Sequence, residues 1–254
     1  MSYVVTYNNL GRYGRFANAL YEICGTIGIA RKNGFDFQFP LFINHDHKDR
    51  FGSIEDCDLY KHFINPLPLL QFNGLPEVHV QWGYHDVRLN GSCSITGHLQ
   101  SRRFFDHCYD EILWWMKMKD EYDRSDYTAI HIRLGDYDNN YHPRLGMEYY
   151  SKAIDKFPKG TRFLVFSDEI EKAKDMFSRH YGHRKDFLYA TGKDYIEEFK
   201  LMKSCKNFII GNSSYSAMAA TLNKDAIVVA PTNWFGRIAG LSAKDIYCPG
   251  WVVA

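Results

Sequence analysis

Three short stretches of this chain hold the residues best suited to chemistry. The first is HIRLGDY (His131–Tyr137), in which an apolar run ends at Arg133, Gly135 permits a tight turn and Asp136 follows at once. A guanidinium offers a fixed fork of N–H donors and stays charged at physiological pH, so it suits a phosphate oxygen or a carboxylate. Asp136 can hold Arg133 or take a proton, and a purely structural Arg–Asp pair is the alternative. The second is NFIIGNSSYSAMAATLN, where Gly211-Asn212-Ser213-Ser214 separates an apolar run from a helical pattern. Amides at a helix start with small hydroxyls beside them make an anion site. Simple N-capping explains one such serine, but four small polar residues in a row exceed what one cap requires. The third is FLVFSDE, which places Ser167 and Asp168 after another apolar run. Asp168 can cap the next helix, the commoner use, or accept from a ribose or a base.

A cation, an anion nest and a carboxylate at three such positions describe a pocket for a nucleotide diphosphate. Other chemistries lack their patterns. There is no GxxxxGK[ST] phosphate loop, no GxSxG elbow, and the first loop, GRYGRFAN, lacks GxGxxG spacing. His45-Asp46-His47 has ligand-type residues without further ligands nearby, so it reads as a solvated turn and no metal is expected.

These stretches need a frame that brings them together. Tyr3–Thr6 reads as a strand, followed by a glycine-containing loop and a helix whose apolar face is Phe16, Ala19, Leu20, Ile23, Ile27 and Ala30. The middle is broken by Pro66, Pro68, Gly74 and Pro76, and Trp114-Trp115-Met116 reads as a buried helix. From Asp126 strands and helices alternate. Strands are expected at 127–132, 162–166, 187–189, 207–210 and 226–230, with helices between them. Asp168 with Glu171, and Asp194 with Glu197, look like helix-opening caps. Such alternation implies a parallel sheet covered on both faces, with ligands at the carboxyl ends of its strands. A cut near residue 125 gives an N-terminal α/β domain (1–125) and a C-terminal Rossmann-like domain (126–254).

Composition bounds the partners. Thirty-one Lys and Arg balance thirty Asp and Glu, which calls for neither nucleic acid nor an anionic membrane. Six scattered cysteines without a CxxC pair suggest free thiols in a reducing compartment. No stretch approaches the roughly 18 apolar residues of a membrane span. A soluble, cytoplasmic protein is the expectation, and the oligomeric state is not readable.

Taken in order, these motifs resemble the α-1,2-fucosyltransferases, within the wider group of GDP-fucose-dependent fucosyltransferases. GRFANALYE (from Gly14) is similar to the family's GRxGNQxFQ, GHLQSRRFF (from Gly97) to GYxQSxxYF, and HIRLGDY to HxRxGDY. MEYYSKAID with FLVFSDE resembles YYxxAI…FxxFSDD, and the GNSS and VVAPTNWF segments resemble the closing motifs. The resemblance implies a GT-B-like α/β fold, two Rossmann-like domains with parallel sheets facing across a cleft. It implies inverting transfer of L-fucose from GDP-β-L-fucose to a glycan hydroxyl, α-1,2-linked to galactose, without metal or other cofactor. Arg133 would bind the β-phosphate, His131 border the nucleotide, Asp168 recognise guanosine, and Asn212, Ser213 and Ser214 hold the diphosphate. Gly14 and Arg15 join the nucleotide-sugar set, and Asn18 would lie beside the transferred sugar. Asp136 is the candidate base, with Glu22 and Asp86 open. Ala17, Ala19, Leu134 and Met218 depart from the family pattern. A transferase of another nucleotide sugar, or a non-catalytic nucleotide- or carbohydrate-binding module, is the alternative.

Overall fold

The computed structural model describes residues 2–11, 14–40, 59–71, 74–137, 140–182 and 186–254. His45–His47 and Cys57 lie outside them. The chain divides into two compact units, residues 1–119 with 244–248, and residues 120–243 with 249–254. A cut at 125 would pass through a strand, because the first strand of the second unit already begins at Arg124.

The first unit starts with β1 (Val4–Thr6), which runs into α1 (Phe16–Lys32) and then β2 (Asp36–Phe37). β3 (Glu77–His79) and β4 (Cys93–Thr96) complete a parallel sheet in the order β2-β1-β4-β3. α1 is buried from Phe16 to Ala30 except at Asn18, so its apolar residues extend well beyond one stripe. Gly28 makes close packing feasible. A Cβ there would sit 2.2 Å from the Phe104 carbonyl and 2.6 Å from Phe105 Cα. A helical glycine costs about 1 kcal/mol relative to alanine, and here close contact with neighbouring backbone offsets it. α2 (Tyr109–Trp115) is short, and Trp114 is 53% exposed. The expected buried helix thus exists but turns this indole outward. Residues 244–248 return to this unit through Asp245, which accepts from the Tyr84 amide (3.1 Å) and Arg103 (2.7 Å).

The second unit alternates regularly. β5 (Arg124–Ile132), α3 (Met147–Ile154), β6 (Arg162–Ser167), α4 (Ile170–Tyr181), β7 (Phe187–Tyr189), α5 (Tyr195–Lys203), β8 (Cys205–Ile209), α6 (Ser214–Thr221), β9 (Val228–Ala230) and β10 (Val252–Val253) follow in turn. Every pairing is parallel, and the order is β10-β9-β8-β5-β6-β7. Counted within this unit, the order is 6-5-4-1-2-3, a doubly wound sheet. The chain leaves β5 towards one edge and returns through β8 to the other side, so the strand order reverses between β5 and β8. A crevice opens at such a reversal, outside the carboxyl ends of the two strands. The core beneath contains Ile130, Ile132, Tyr150, Phe163, Val165, Phe177 and Phe187. The described cysteines are free thiols.

Candidate functional site

Both flanks of the reversal carry motif residues. β5 ends at Ile132 and delivers Arg133, while β8 ends at Ile209 and leads through Gly211–Ser213 into α6. Gly211 allows the two strand ends to close up. A Cβ there would lie 3.0 Å from the His131 carbonyl and 3.4 Å from His131 Nδ1. Tyrosine hydroxyls hold the carbonyls at this end. Tyr150 donates to His131 (3.2 Å), Tyr149 to Ile210 (2.7 Å) and Tyr137 to Asn212 (2.7 Å). These bonds brace the two strand ends beside the crevice.

Arg133 lies between two carboxylates. Its Nε and Nη2 reach Asp136 Oδ1 at 2.8 and 2.7 Å, and its Nη1 reaches Asp168 Oδ2 at 3.2 Å. These contacts engage three of the five N–H donors a guanidinium carries. The Tyr137 ring lies 5.8 Å from the guanidinium carbon. Asp168 also binds the turn itself, taking the Leu134 and Gly135 amides at 2.9 Å each. It does not cap α4. Glu169 stands at that N-cap without a side-chain cap bond, and the Ser167 hydroxyl accepts from the Glu169 amide. The Asp168–Glu171 cap read from the sequence is corrected on this point. Asp168 reaches across to the β5 turn, where two amides and a cation outweigh one helix end.

His131 is buried, and burial, helped by the Arg133 charge, pushes its pKa down to about 3. The imidazole is neutral, its Nδ1 has no hydrogen-bond partner, and its ring lies 5.7 Å from that of Tyr215. On the β8 side, Ser213 is the N-cap of α6 and accepts from the Tyr215 amide. Ser214 opens the helix. Asn212 is buried, and its amide donates to the Pro143 and Trp234 carbonyls at 2.9 and 3.1 Å. Its side chain braces the turn, and both of these bonds go to backbone carbonyls.

Gly14, Arg15 and Asn18 belong to the first unit, at the entry to α1. Arg15 is the N-cap residue, without a side-chain cap bond. Gly14 has φ +113°, and a Cβ there would overlap Asn18 Nδ2. Asn18 Oδ1 accepts from Gln100 at 2.8 Å, which ties the first loop to the GHLQS segment. Asp86 pairs with Lys32 and Tyr84 in the same unit, away from Glu22, which is buried inside α1.

Sequence reading stopped short at several residues. Tyr137, Gln100 and Tyr215 stood inside motifs already quoted, and their positions alone pointed to them. Glu198 had no such signal. Glu198, on α5, has its pKa raised to about 7, first by burial and then by the charge of Asp168. Among the departures from the family pattern, Ala17, Ala19 and Met218 are buried, and Leu134 packs on the core of the second unit. Among the described residues no group of three or more His, Cys, Asp or Glu is arranged to hold a metal ion, and no helix is long and apolar enough to cross a membrane.

Comparison with known proteins decides the family. Residues 109–254, more than half of the chain, match the model for glycosyl transferase family 11. The chain belongs to this family. It is 30% identical over 216 residues to the O-antigen biosynthesis glycosyltransferase WbnK of Escherichia coli, covering 72% of this chain and 68% of that protein. It is 35% identical over 121 residues to an α-1,2-colitosyltransferase of the same organism, covering 43% and 41%. Among solved structures, the fucosyltransferase NodZ from Bradyrhizobium aligns with a TM-score of 0.48 at 10% identity, covering 86% of this chain and 92% of that one. As a family 11 member the chain is a glycosyltransferase, an enzyme of glycan assembly.

Proposed function

We propose that this glycosyltransferase moves L-fucose from GDP-β-L-fucose to a hydroxyl of a glycan acceptor, with inversion, forming an α-1,2 link to galactose. One observation carries the reading. Arg133 and the Ser213–Ser214 start of α6 stand at the ends of adjacent strands where the order of the sheet reverses.

In this reading the bond from the sugar C1 to the β-phosphate oxygen breaks, and charge grows on the departing diphosphate. The remaining N–H donors of Arg133 and the amides of the α6 entry meet that charge. Neutral His131 borders the nucleotide without adding a cation, and Asp168 fixes the turn that aims Arg133 and meets the guanosine. The acceptor oxygen bonds C1 from the opposite face, and its proton passes to Asp136, freed as Arg133 shifts its donors to phosphate. Gly14, Arg15 and Asn18 serve the sugar side. No metal takes part in this scheme.

A second donor is favoured by one relative, whose name makes it an α-1,2-colitosyltransferase. Incubation with GDP-fucose, with other GDP-sugars and with UDP-sugars over a glycan acceptor array separates the readings. Acceptor-dependent GDP release from GDP-fucose, with an α-1,2-fucosyl product by linkage analysis, is expected. Turnover confined to another nucleotide sugar would replace the fucose reading.

A further inference from the structure

Trp82 and two histidines stand at the carboxyl end of the first unit's sheet, and the proposed transfer step does not use them. β3 and β4 are adjacent parallel strands, in register from Glu77 opposite Ser94 to His79 opposite Thr96. They lead out into Val80-Gln81-Trp82 and Gly97-His98-Leu99-Gln100. In parallel sheets this is the end where ligands sit.

The two exits are fastened side by side. The Val80 amide donates to the Thr96 carbonyl at 2.8 Å. Gly97 has φ +121°, and a Cβ there would lie 2.2 Å from the Val80 carbonyl oxygen, so a glycine is needed for this approach. Beyond Trp82, the Tyr84 amide donates to Asp245 at 3.1 Å, and the Tyr84 ring lies 5.2 Å from that of buried Phe104. The turn that carries the indole is held on both sides of it.

This turn presents an aromatic face with polar groups at its rim. The Trp82 ring is half-buried and meets the His98 imidazole edge to face, with centroids 6.2 Å apart. His98 and His79 are both exposed, and His79 is oriented by its Nδ1, 3.1 Å from Thr96 Oγ1. Two residues past His98, Gln100 donates to Asn18 at 2.8 Å, so the exit of β4 is continuous with the entry to α1. A tryptophan kept for packing alone would be fully buried, as Tyr7, Phe39 and Phe105 are in this unit. A flat apolar face edged by imidazoles and amides suits a pyranose, whose ring C–H bonds pack on the indole while its hydroxyls meet the polar rim.

We propose that Trp82 is the stacking platform for the acceptor's sugar ring, with His98 and His79 as hydrogen-bond partners of its hydroxyls. Galactose turns the C–H bonds of C3, C4 and C5 to one face, which matches such a platform. This inference rests on the transfer reading above and gives acceptor choice to the first unit.

The test is steady-state kinetics of Trp82→Ala, Trp82→Phe and His98→Ala, using the nucleotide sugar and the glycan that the unaltered enzyme turns over. Trp82→Ala should raise the acceptor KM about 10- to 100-fold, the scale of losing one stacked aromatic, and leave the donor KM unchanged. Trp82→Phe, which keeps a flat face, should recover most of that loss, and His98→Ala should raise the acceptor KM less than Trp82→Ala does. Saturation-transfer NMR of the acceptor glycan should show its C3, C4 and C5 protons closest to the enzyme, a pattern lost in Trp82→Ala. An unchanged acceptor KM in folded Trp82→Ala, or acceptor and donor KM rising together, would overturn the proposal. If Trp82→Ala does not fold, Trp82→Phe and His98→Ala decide through the same two constants, and no rise in acceptor KM in either overturns it. A donor other than GDP-fucose would sink the fucose reading and leave this test standing.

Discussion

The two parallel sheets end in opposite kinds of chemistry. At the carboxyl end of the second unit's sheet, Arg133, Asp136 and Asp168 form a charged cluster at the mouth of the strand-order reversal. At the corresponding end of β1 in the first unit's sheet the polar groups are buried: the Tyr7 hydroxyl bonds the Gly97 carbonyl, and Glu22, at 0% exposure, accepts from the Gly11 amide. A charge can be held near the surface because water and a second charge share its field. Inside α1 no such sharing is available, and the group keeps its proton instead. One edge thus gathers charged side chains, and the other buries a carboxyl group for which charge is costly.

The largest break in this contrast comes from removing the cation. Arg133→Ala should lower turnover about 100- to 1000-fold, the usual cost of losing one donor to a developing anion. Its thermal midpoint without ligand should stay close to that of the unaltered enzyme, while the upward shift given by GDP disappears. Near-normal turnover in this variant would remove Arg133 from the chemistry.

The second unit was far more legible in the sequence than the first. Its strands are short apolar runs separated by amphipathic helices, so period and punctuation agree, and Arg162–Ser167 and Phe187–Tyr189 lie where they were expected. β2, β3 and β4 are two to four residues long and carry Asp36, Glu77 and His79, too little for any period to register. Residues 244–248 return to the first unit through Asp245, a contact made at long range that no local pattern encodes. The strand-end positions of Arg133 and the serine turn were readable because parallel strands are short apolar runs with clear ends. The partners of Asp168 were not, because they lie at the end of a neighbouring strand.

A smaller effect separates the edges by pH. The Glu22 pKa is about 8 in the folded chain against an ordinary 4.5. The folded state then holds a proton that the unfolded state has released. The contribution is fully present below pH 4.5 and is lost as pH rises through 8, at about 1.4 kcal/mol per pH unit between those limits. Denaturant unfolding at pH 5, 6, 7 and 8 should show Glu22→Gln gaining on the unaltered chain at each step. Parallel stability curves would mean that Glu22 is already ionised when folded.

Gly28→Ala probes packing in the first unit alone. The added methyl meets backbone, which has little room to give, so the strain should exceed the gain in helix propensity. A loss of about 1–3 kcal/mol is expected, the range for overpacking a tight core. GDP should still stabilise the variant, because the nucleotide reading places the diphosphate on the second unit. Loss of the GDP shift at temperatures where the variant remains folded would overturn the placing of the diphosphate on the second unit.

The smallest effect distinguishes two aspartates that look alike in sequence. Asp168 and Asp194 each precede a glutamate by three residues and stand before a helix. Asp194 is a true cap, accepting from the Ile196 and Glu197 amides at 2.9 and 3.0 Å. Asp168 leaves its helix uncapped and holds the Arg133 turn. Asp194→Ala should therefore cost about 1 kcal/mol of stability and leave GDP affinity and turnover nearly as they were. Asp168→Ala should do the reverse, since its partners are two amides and Arg133, the cation that the proposed function gives to the diphosphate. Chemical denaturation and a GDP titration on the same two variants decide the matter. If both lose stability alike and neither loses GDP, Asp168 is a structural clamp without a part in the site, and the charged edge reduces to Arg133, Asp136 and the serine turn.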